Sequence, residues 1–130
     1  MSWSQSLFIA HTLLELFLGL IKLRGRYQHE KPTVRSDERS KMYTRHHGAS
    51  ILSLALLGGL VTIHGLEDDE TGRIASACLF MFHGGAVVAF AYAWASHNAI
   101  PAFKVCVPHL PFALGFGYHY YALQPEPYSS

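Results

Sequence analysis

The segments SILSLALLGGLV (residues 50–61) and GAVVAFAYAWA (residues 85–95) are apolar on every side of a helix and contain no charged residue. A helix of a soluble bundle carries one apolar stripe and an opposite polar face. A helix that is apolar all round lies in a large core or in lipid. These two segments therefore favour helices that cross a membrane over helices of a soluble bundle.

Both segments belong to longer apolar blocks, and the sequence holds four such blocks. They run over about residues 7–23, 49–66, 74–95 and 102–123. Each block is near the ~20 residues that a helix needs to cross ~30 Å of hydrocarbon. Strong charge inside the blocks is limited to Glu15, Lys22 and Lys104. We predict an all-α polytopic membrane protein, in which residues 1–130 form a single four-transmembrane-helix bundle.

The composition excludes several other classes of protein. Charged residues make up 15% of the 130 residues, against a usual ~25%, and 50% of the residues are hydrophobic. The chain is too apolar to be disordered, and two cysteines are too few for a disulfide scaffold. A net charge of +1 gives no general footprint for nucleic acid, so no nucleic-acid partner is expected.

The distribution of charge predicts an orientation in the membrane. Nine of the ten Lys and Arg residues lie in or beside the loop 24–48 or at the near end of the fourth block, and Arg73 is the exception. Because cytoplasmic loops are rich in Lys and Arg, we expect a cytoplasmic loop 24–48 and both termini outside or lumenal. The second helix is predicted to begin near Asp37 and to end at Gly65, and Asp68 or Asp69 to cap the third.

Ionisable residues inside the spans are the candidate functional residues, because polar groups in hydrocarbon cost free energy. Five histidines fall in the blocks: His11, His64, His83, His109 and His119. His11 and Glu15 are four residues apart, so they share one helix face. Counted from the span ends, Glu15 and His83 lie at similar depth. A carboxyl and an imidazole in contact can share one proton and act as an acid–base pair; alternatively, they only hydrogen-bond neighbouring helices.

Two further histidines have unusual neighbours. His83 precedes a glycine pair in MFHGGA (residues 81–86), which allows another helix or a flat ligand to approach closely. His109 lies between Pro108 and Pro111, and each proline removes a backbone donor and can bend the helix beside a cavity. Both features also suit packing alone. The predicted catalytic residues are Glu15, His11, His83 and His109.

The segment FIAHTLLELFLGLI (residues 8–21) in the first predicted span resembles the His-x-x-x-Glu span of the EXPERA membrane domain, the family of emopamil-binding sterol isomerases. The four-span layout is similar to that family and to DoxX-like small membrane proteins. The resemblance implies an isomerase-type pocket in which His11 and Glu15 handle protons. The later spans depart from the family pattern and offer His83 and His109 instead of further acidic residues.

Three functions remain open on the sequence. The first is a cofactor-free membrane enzyme that isomerises or cyclises an apolar lipid, isoprenoid or polyketide. The second is a small non-catalytic subunit or chaperone of a larger membrane complex. The third is a protein that binds haem or a metal ion through histidines, since imidazole is a common ligand of transition metals. For a metal ion, His11, His64 and His119 are the candidate ligands because they lie at similar depth.

Overall fold

A computed structural model describes residues 1–24, 38–97 and 100–123, and the side chains of these residues except 38–41, 93, 97 and 100–106. The described residues form four α-helices: α1 (Trp3–Leu23), α2 (Glu38–Ile63), α3 (Glu70–His97) and α4 (Ile100–Ala122). The described ranges contain no β-strand. The prediction of an all-α fold is therefore confirmed.

Each helix begins before its predicted apolar block. α1 begins at Trp3 because the hydroxyl of Ser2 accepts a hydrogen bond from the Gln5 amide at 3.1 Å, which caps the helix. α2 begins at Glu38, so residues 38–48 of the predicted loop are helical and continue into the apolar segment. The part of the basic loop at residues 25–37 lies outside the described residues.

The connection from α2 to α3 is built from the predicted capping residues. Gly65 has a φ of +64°, the left-handed conformation that glycine adopts without strain. Its amide donates to the Thr62 carbonyl and the Leu66 amide donates to the Val61 carbonyl, the bonding pattern of a glycine-terminated helix. Asp69 Oδ1 then accepts hydrogen bonds from the first amides of α3. Gly65 and Asp69 are thus confirmed as caps.

The four helices are arranged as two close pairs. α1 packs along α2, and α3 packs along α4, whereas α2 with α3 and α1 with α4 contact each other much less. α1 and α3 consequently face each other across the diagonal of the bundle. Glycines allow the first pair to approach closely: a Cβ atom on Gly48 would lie 2.9 Å from the Leu23 amide nitrogen and 3.0 Å from the Gly19 carbonyl oxygen.

The distribution of polar groups is reversed relative to a water-soluble protein. A small apolar cluster that includes Phe8, Leu79 and Phe116 lies inside, but so do several ionisable side chains. Large apolar side chains cover the surface, among them Leu13, Phe17, Leu56, Met81, Val88 and Leu114. So many exposed large apolar side chains are unusual on a soluble monomer and indicate contact with lipid or protein.

Three of the helices are long and apolar enough to cross a membrane. These stretches are Trp3–Leu23, Met42–Ile63 and Glu70–Ser96. The described side chains of α4 begin only at Val107, so the count of four spans stays a prediction. Lys104, which contributes to the predicted orientation, lies outside the described side chains.

The close approach of α1 and α2 predicts a position-specific effect of an added methyl group. Gly48→Ala places a Cβ atom against backbone atoms that cannot move aside, so the helices must separate. We expect a loss of about 1–3 kcal/mol of stability, measured by thermal unfolding in detergent. Gly85→Ala is the matched control, because no atom lies within 4 Å of its Cβ position. Equal losses for both variants would contradict the close approach.

Candidate functional site

One face of α1 supplies the first two residues of the site. The buried residues of α1 are Ser4, Phe8, His11, Glu15 and Gly19. Their spacing of three or four follows the 3.6-residue helical period, so they form one stripe that faces the bundle interior. His11 is 0% exposed and Glu15 is 2% exposed. The sequence prediction that these two side chains share a face is confirmed.

His83 reaches the same point from α3, across the diagonal of the bundle. Its Nε2 atom lies 3.8 Å from Glu15 Oε1, and His11 Nε2 lies 4.0 Å from the same oxygen. The rings of His11 and His83 meet edge to face, with centroids 5.0 Å apart. A single carboxylate oxygen therefore faces imidazole nitrogens from two different helices.

His109 adds the fourth predicted residue from α4. The Nδ1 atoms of His83 and His109 are 2.8 Å apart, a hydrogen bond in which one ring donates and the other accepts. This bond orients the His83 ring and leaves its Nε2 atom directed at Glu15. α4 runs as a helix through Pro108 and Pro111. Pro111 has no amide hydrogen to bond the Val107 carbonyl, so the backbone near His109 loses one helical bond. The structure thus brings all four predicted catalytic residues together.

The surroundings of these residues are apolar and aromatic. Phe112 and Phe116 meet the His11 ring edge to face at centroid distances of 5.3 and 5.1 Å, and Phe112 also lies 5.3 Å from the His83 ring. Within the described part of the chain, both nitrogens of His11 and Nε2 of His83 are buried without a hydrogen-bond partner. An unsatisfied buried polar atom costs about 1–3 kcal/mol. The arrangement can accept a proton, a polar group or a metal ion at these atoms.

α2 contributes to the site through a glycine rather than a side chain. A Cβ atom on Gly58 would lie 2.7 Å from Thr12 Oγ1 and 3.3 Å from His11 Nδ1. Because Gly58 has no side chain, the His11 ring fits between α1 and α2 without a clash. The sequence does not predict this role of Gly58, and it does not predict that Phe112 and Phe116 line the site. The glycine pair GG within the apolar run of α2 was the available signal for close packing.

The histidines predicted to bind a metal ion at the outer end are not brought together. His64 is exposed in the turn after α2. His119 is buried, but its Nδ1 atom pairs with Ser76 Oγ at 2.8 Å and its Nε2 atom lies 3.7 Å from Asp68 Oδ1. His11 faces inward with Glu15 because both lie on one helix stripe. In the described part of the chain, the group able to hold a metal ion is His11, Glu15 and His83.

The glycine pair after His83 opens a groove on the outer face of α3. The groove is lined by Phe80, Met81, Gly84, Gly85, Val88, Ala89 and Tyr92. No atom lies within 4 Å of a Cβ position on Gly85, and only Phe80 approaches Gly84. The two glycines therefore face outward and do not admit another helix of this chain among the described residues. His83, 1% exposed, faces the interior from the same helix.

The hydrogen bond between Ser76 and His119 predicts a local stability effect. Ser76→Ala leaves the buried Nδ1 atom of His119 without its partner, which should cost about 1–3 kcal/mol. Ser53→Ala is the control, because the exposed Ser53 hydroxyl bonds only its own helix, and we expect a change within about 0.5 kcal/mol. Thermal unfolding in one detergent checks both, and an unaffected Ser76→Ala protein would show that the bond contributes no stability.

Comparison with known proteins gives no family assignment for this site. No protein-family model, no curated protein and no solved structure matches the chain. The resemblance to the EXPERA domain and to DoxX-like proteins stays a prediction. The function is therefore argued from the residues of the site.

Proposed function

We propose that the chain is an integral membrane protein with four spans, a cytoplasmic basic loop and both termini outside or lumenal. Three helices of spanning length and an apolar surface around an ionisable interior support this location. In lipid, the exposed side chains of Leu13, Leu56 and Val88 lose no free energy by facing outward. The buried histidines and glutamate are then the residues that need a functional or structural reason.

We further propose that the buried centre performs acid–base chemistry on an apolar substrate that enters from the bilayer. The observation that carries this proposal is the Glu15 carboxylate oxygen between His11 Nε2 and His83 Nε2. Isomerisation of a double bond, or a cyclisation, requires protonation at one carbon and deprotonation at another. In this proposal the His11–Glu15 pair on α1 supplies one of these steps and His83 on α3 supplies the other.

The positions of the residues suggest their roles. The His11–Glu15 pair on α1 delivers a proton to one alkene carbon, and the π electrons form the new C–H bond. His83 on α3 removes a proton from a neighbouring carbon, and the electrons of that C–H bond form the shifted double bond. His109 bonds to Nδ1 of His83 and holds its ring, so that Nε2 faces the reaction. General acid–base catalysis of this type contributes about 10²–10⁴-fold to a rate.

One observation favours the alternative of a non-catalytic subunit. The α3 groove presents Gly84 and Gly85 to the outside, and small residues of this kind allow a helix of another membrane protein to approach closely. In that case the buried polar residues would only join the helices of this chain. The substrate class favoured under the enzyme proposal remains a lipid, isoprenoid or polyketide.

The proposed orientation predicts which parts of the chain are accessible. Tags at either terminus should be protected from protease added to the cytoplasmic side of sealed vesicles, because both termini lie on the opposite side. A cysteine introduced by Ser40→Cys in the basic segment should be labelled from the cytoplasmic side by a membrane-impermeant reagent. The native Cys78 and Cys106 are first replaced by alanine in this experiment. Labelling of Ser40→Cys only from the opposite side would reverse the orientation.

The acid–base proposal predicts the effect of removing one proton-carrying group. Glu15→Gln keeps the shape of the side chain but removes its acid, so turnover should fall at least about 100-fold. The readout is the apolar extract of cells that express each variant, analysed by mass spectrometry for a product present only with the unsubstituted protein.

Glu67→Gln is the matched control, since Glu67 is also a buried carboxylate but lies in the turn between α2 and α3. It should form product at an unchanged rate. Equal amounts of folded protein are established by size-exclusion chromatography in detergent. If Glu15→Gln and His83→Gln both form product as the unsubstituted protein does, the catalytic assignment is wrong.

A further inference from the structure

We infer that His11, Glu15 and His83 form a binding site for one divalent first-row transition-metal ion, with Zn²⁺ as the ion that fits the donor set. The inference goes beyond the proposed function, because an ion can be bound whether or not the protein is an enzyme. It also replaces the predicted ligand set His11, His64 and His119, which the structure does not bring together.

The geometry is close to that of a formed metal site. One donor atom from each of the three side chains lies within 4.8 Å of the other two, and Glu15 Oε1 is 3.8 and 4.0 Å from the two Nε2 atoms. Ligand atoms bound at ~2.0–2.2 Å in a tetrahedral site lie roughly 3.3–3.5 Å apart. Small side-chain rotations that move each donor atom by about 1 Å therefore bring these atoms to coordination distance.

The hydrogen bonding of the histidines independently indicates a ligand. His83 Nε2 and both nitrogens of His11 are fully buried and have no hydrogen-bond partner among the described residues. The other nitrogen of His83 is held by His109 at 2.8 Å. Metal-bound histidines nearly always donate their second ring N–H to an acceptor, which fixes the ring and the tautomer. With His83 as the donor and His109 as the acceptor, the Nε2 lone pair of His83 points to the centre of the site.

The donor types select the class of ion. Two imidazole nitrogens and one carboxylate oxygen suit Zn²⁺, and they also suit Fe²⁺ in sites with open positions. Mg²⁺ and Ca²⁺ prefer a shell of oxygen atoms, and a single carboxylate cannot supply it. Three protein ligands leave the fourth position of a tetrahedral ion open. Such an ion would occupy the Glu15 and histidine atoms that the acid–base proposal uses, so ion binding and proton transfer at these atoms are alternative uses of the centre.

The test measures bound metal in protein purified with an affinity tag that contains no histidine. Protein loaded with Zn²⁺ and then dialysed should retain one ion per chain by elemental analysis. Its zinc X-ray absorption spectrum should show nitrogen and oxygen ligands that include two imidazole rings. His11→Gln, Glu15→Gln and His83→Gln should each lose the ion under the same dialysis. His109→Phe keeps all three ligands but loses the orienting hydrogen bond, and should bind Zn²⁺ about 10–100-fold more weakly.

Two controls separate this site from other histidines. His119→Gln removes a buried histidine outside the group, and His46→Gln with His47→Gln removes an exposed pair. All of these proteins should retain the ion.

The inference is overturned if the unsubstituted protein retains no Zn²⁺, if the ligand variants retain it as the controls do, or if the spectrum lacks the two imidazoles. The spectrum needs no variant, so it decides even if the ligand variants fail to fold. An unsubstituted protein that forms product but retains no Zn²⁺ would overturn the ion and leave the proposed function intact, whereas a protein that retains Zn²⁺ but forms no product would do the reverse.

Discussion

The structure depends on the burial of one carboxylate between two imidazoles. Glu15 lies at the centre of the bundle, where its Oε1 atom faces His11 of its own helix and His83 of the diagonal helix. A carboxylate in apolar surroundings is costly unless nearby groups compensate its charge or share its proton. The rotation of α1 and α3 about their axes is therefore constrained: a turn of either helix away from the centre would leave polar atoms facing phenylalanine rings or lipid.

The same centre connects the two halves of the bundle. The α1–α2 pair and the α3–α4 pair are each closely packed, whereas contacts between the pairs are few. What joins them is the apolar cluster around Phe8, Leu79 and Phe116 together with the polar centre beside it. Glycines inside the first pair, including Gly58 next to His11, allow the helices to lie close enough for the centre to form. Substitutions in the centre should therefore affect the association of the two pairs as well as the proposed chemistry.

The sequence predicted most of the local structure because local rules determine it. Gly65 and Asp69 cap helices through their own conformational and hydrogen-bonding properties, and His11 and Glu15 share a face because of helical spacing alone. Counting residues from the span ends also predicts that Glu15 and His83 lie at the same level. Depth does not determine the direction in which a side chain points around the helix axis, nor the residues that it meets. His64 lies in the turn after α2, and His119 is buried against Trp3 and Phe8, nearer the start of α1 than His11. That direction is set by packing between helices, to which Gly58 and Phe112 contribute and which no local pattern specifies.

The balance of charge distinguishes the two states proposed for the centre, one that shares a proton and one that binds a metal ion. In an apolar interior, separated charges are expensive, so an ionised Glu15 needs a nearby compensating charge. A proton on His11 or His83 compensates it fully and produces a neutral centre that can give or take that proton. A divalent ion bound to the same carboxylate and two neutral imidazoles leaves a net positive charge. Such a centre would favour an anion at its open position, such as a hydroxide formed from water or an oxygen anion of the substrate. The two states therefore favour different substrates: an apolar alkene suits the proton-sharing centre, and an oxygenated substrate suits the metal-bound one.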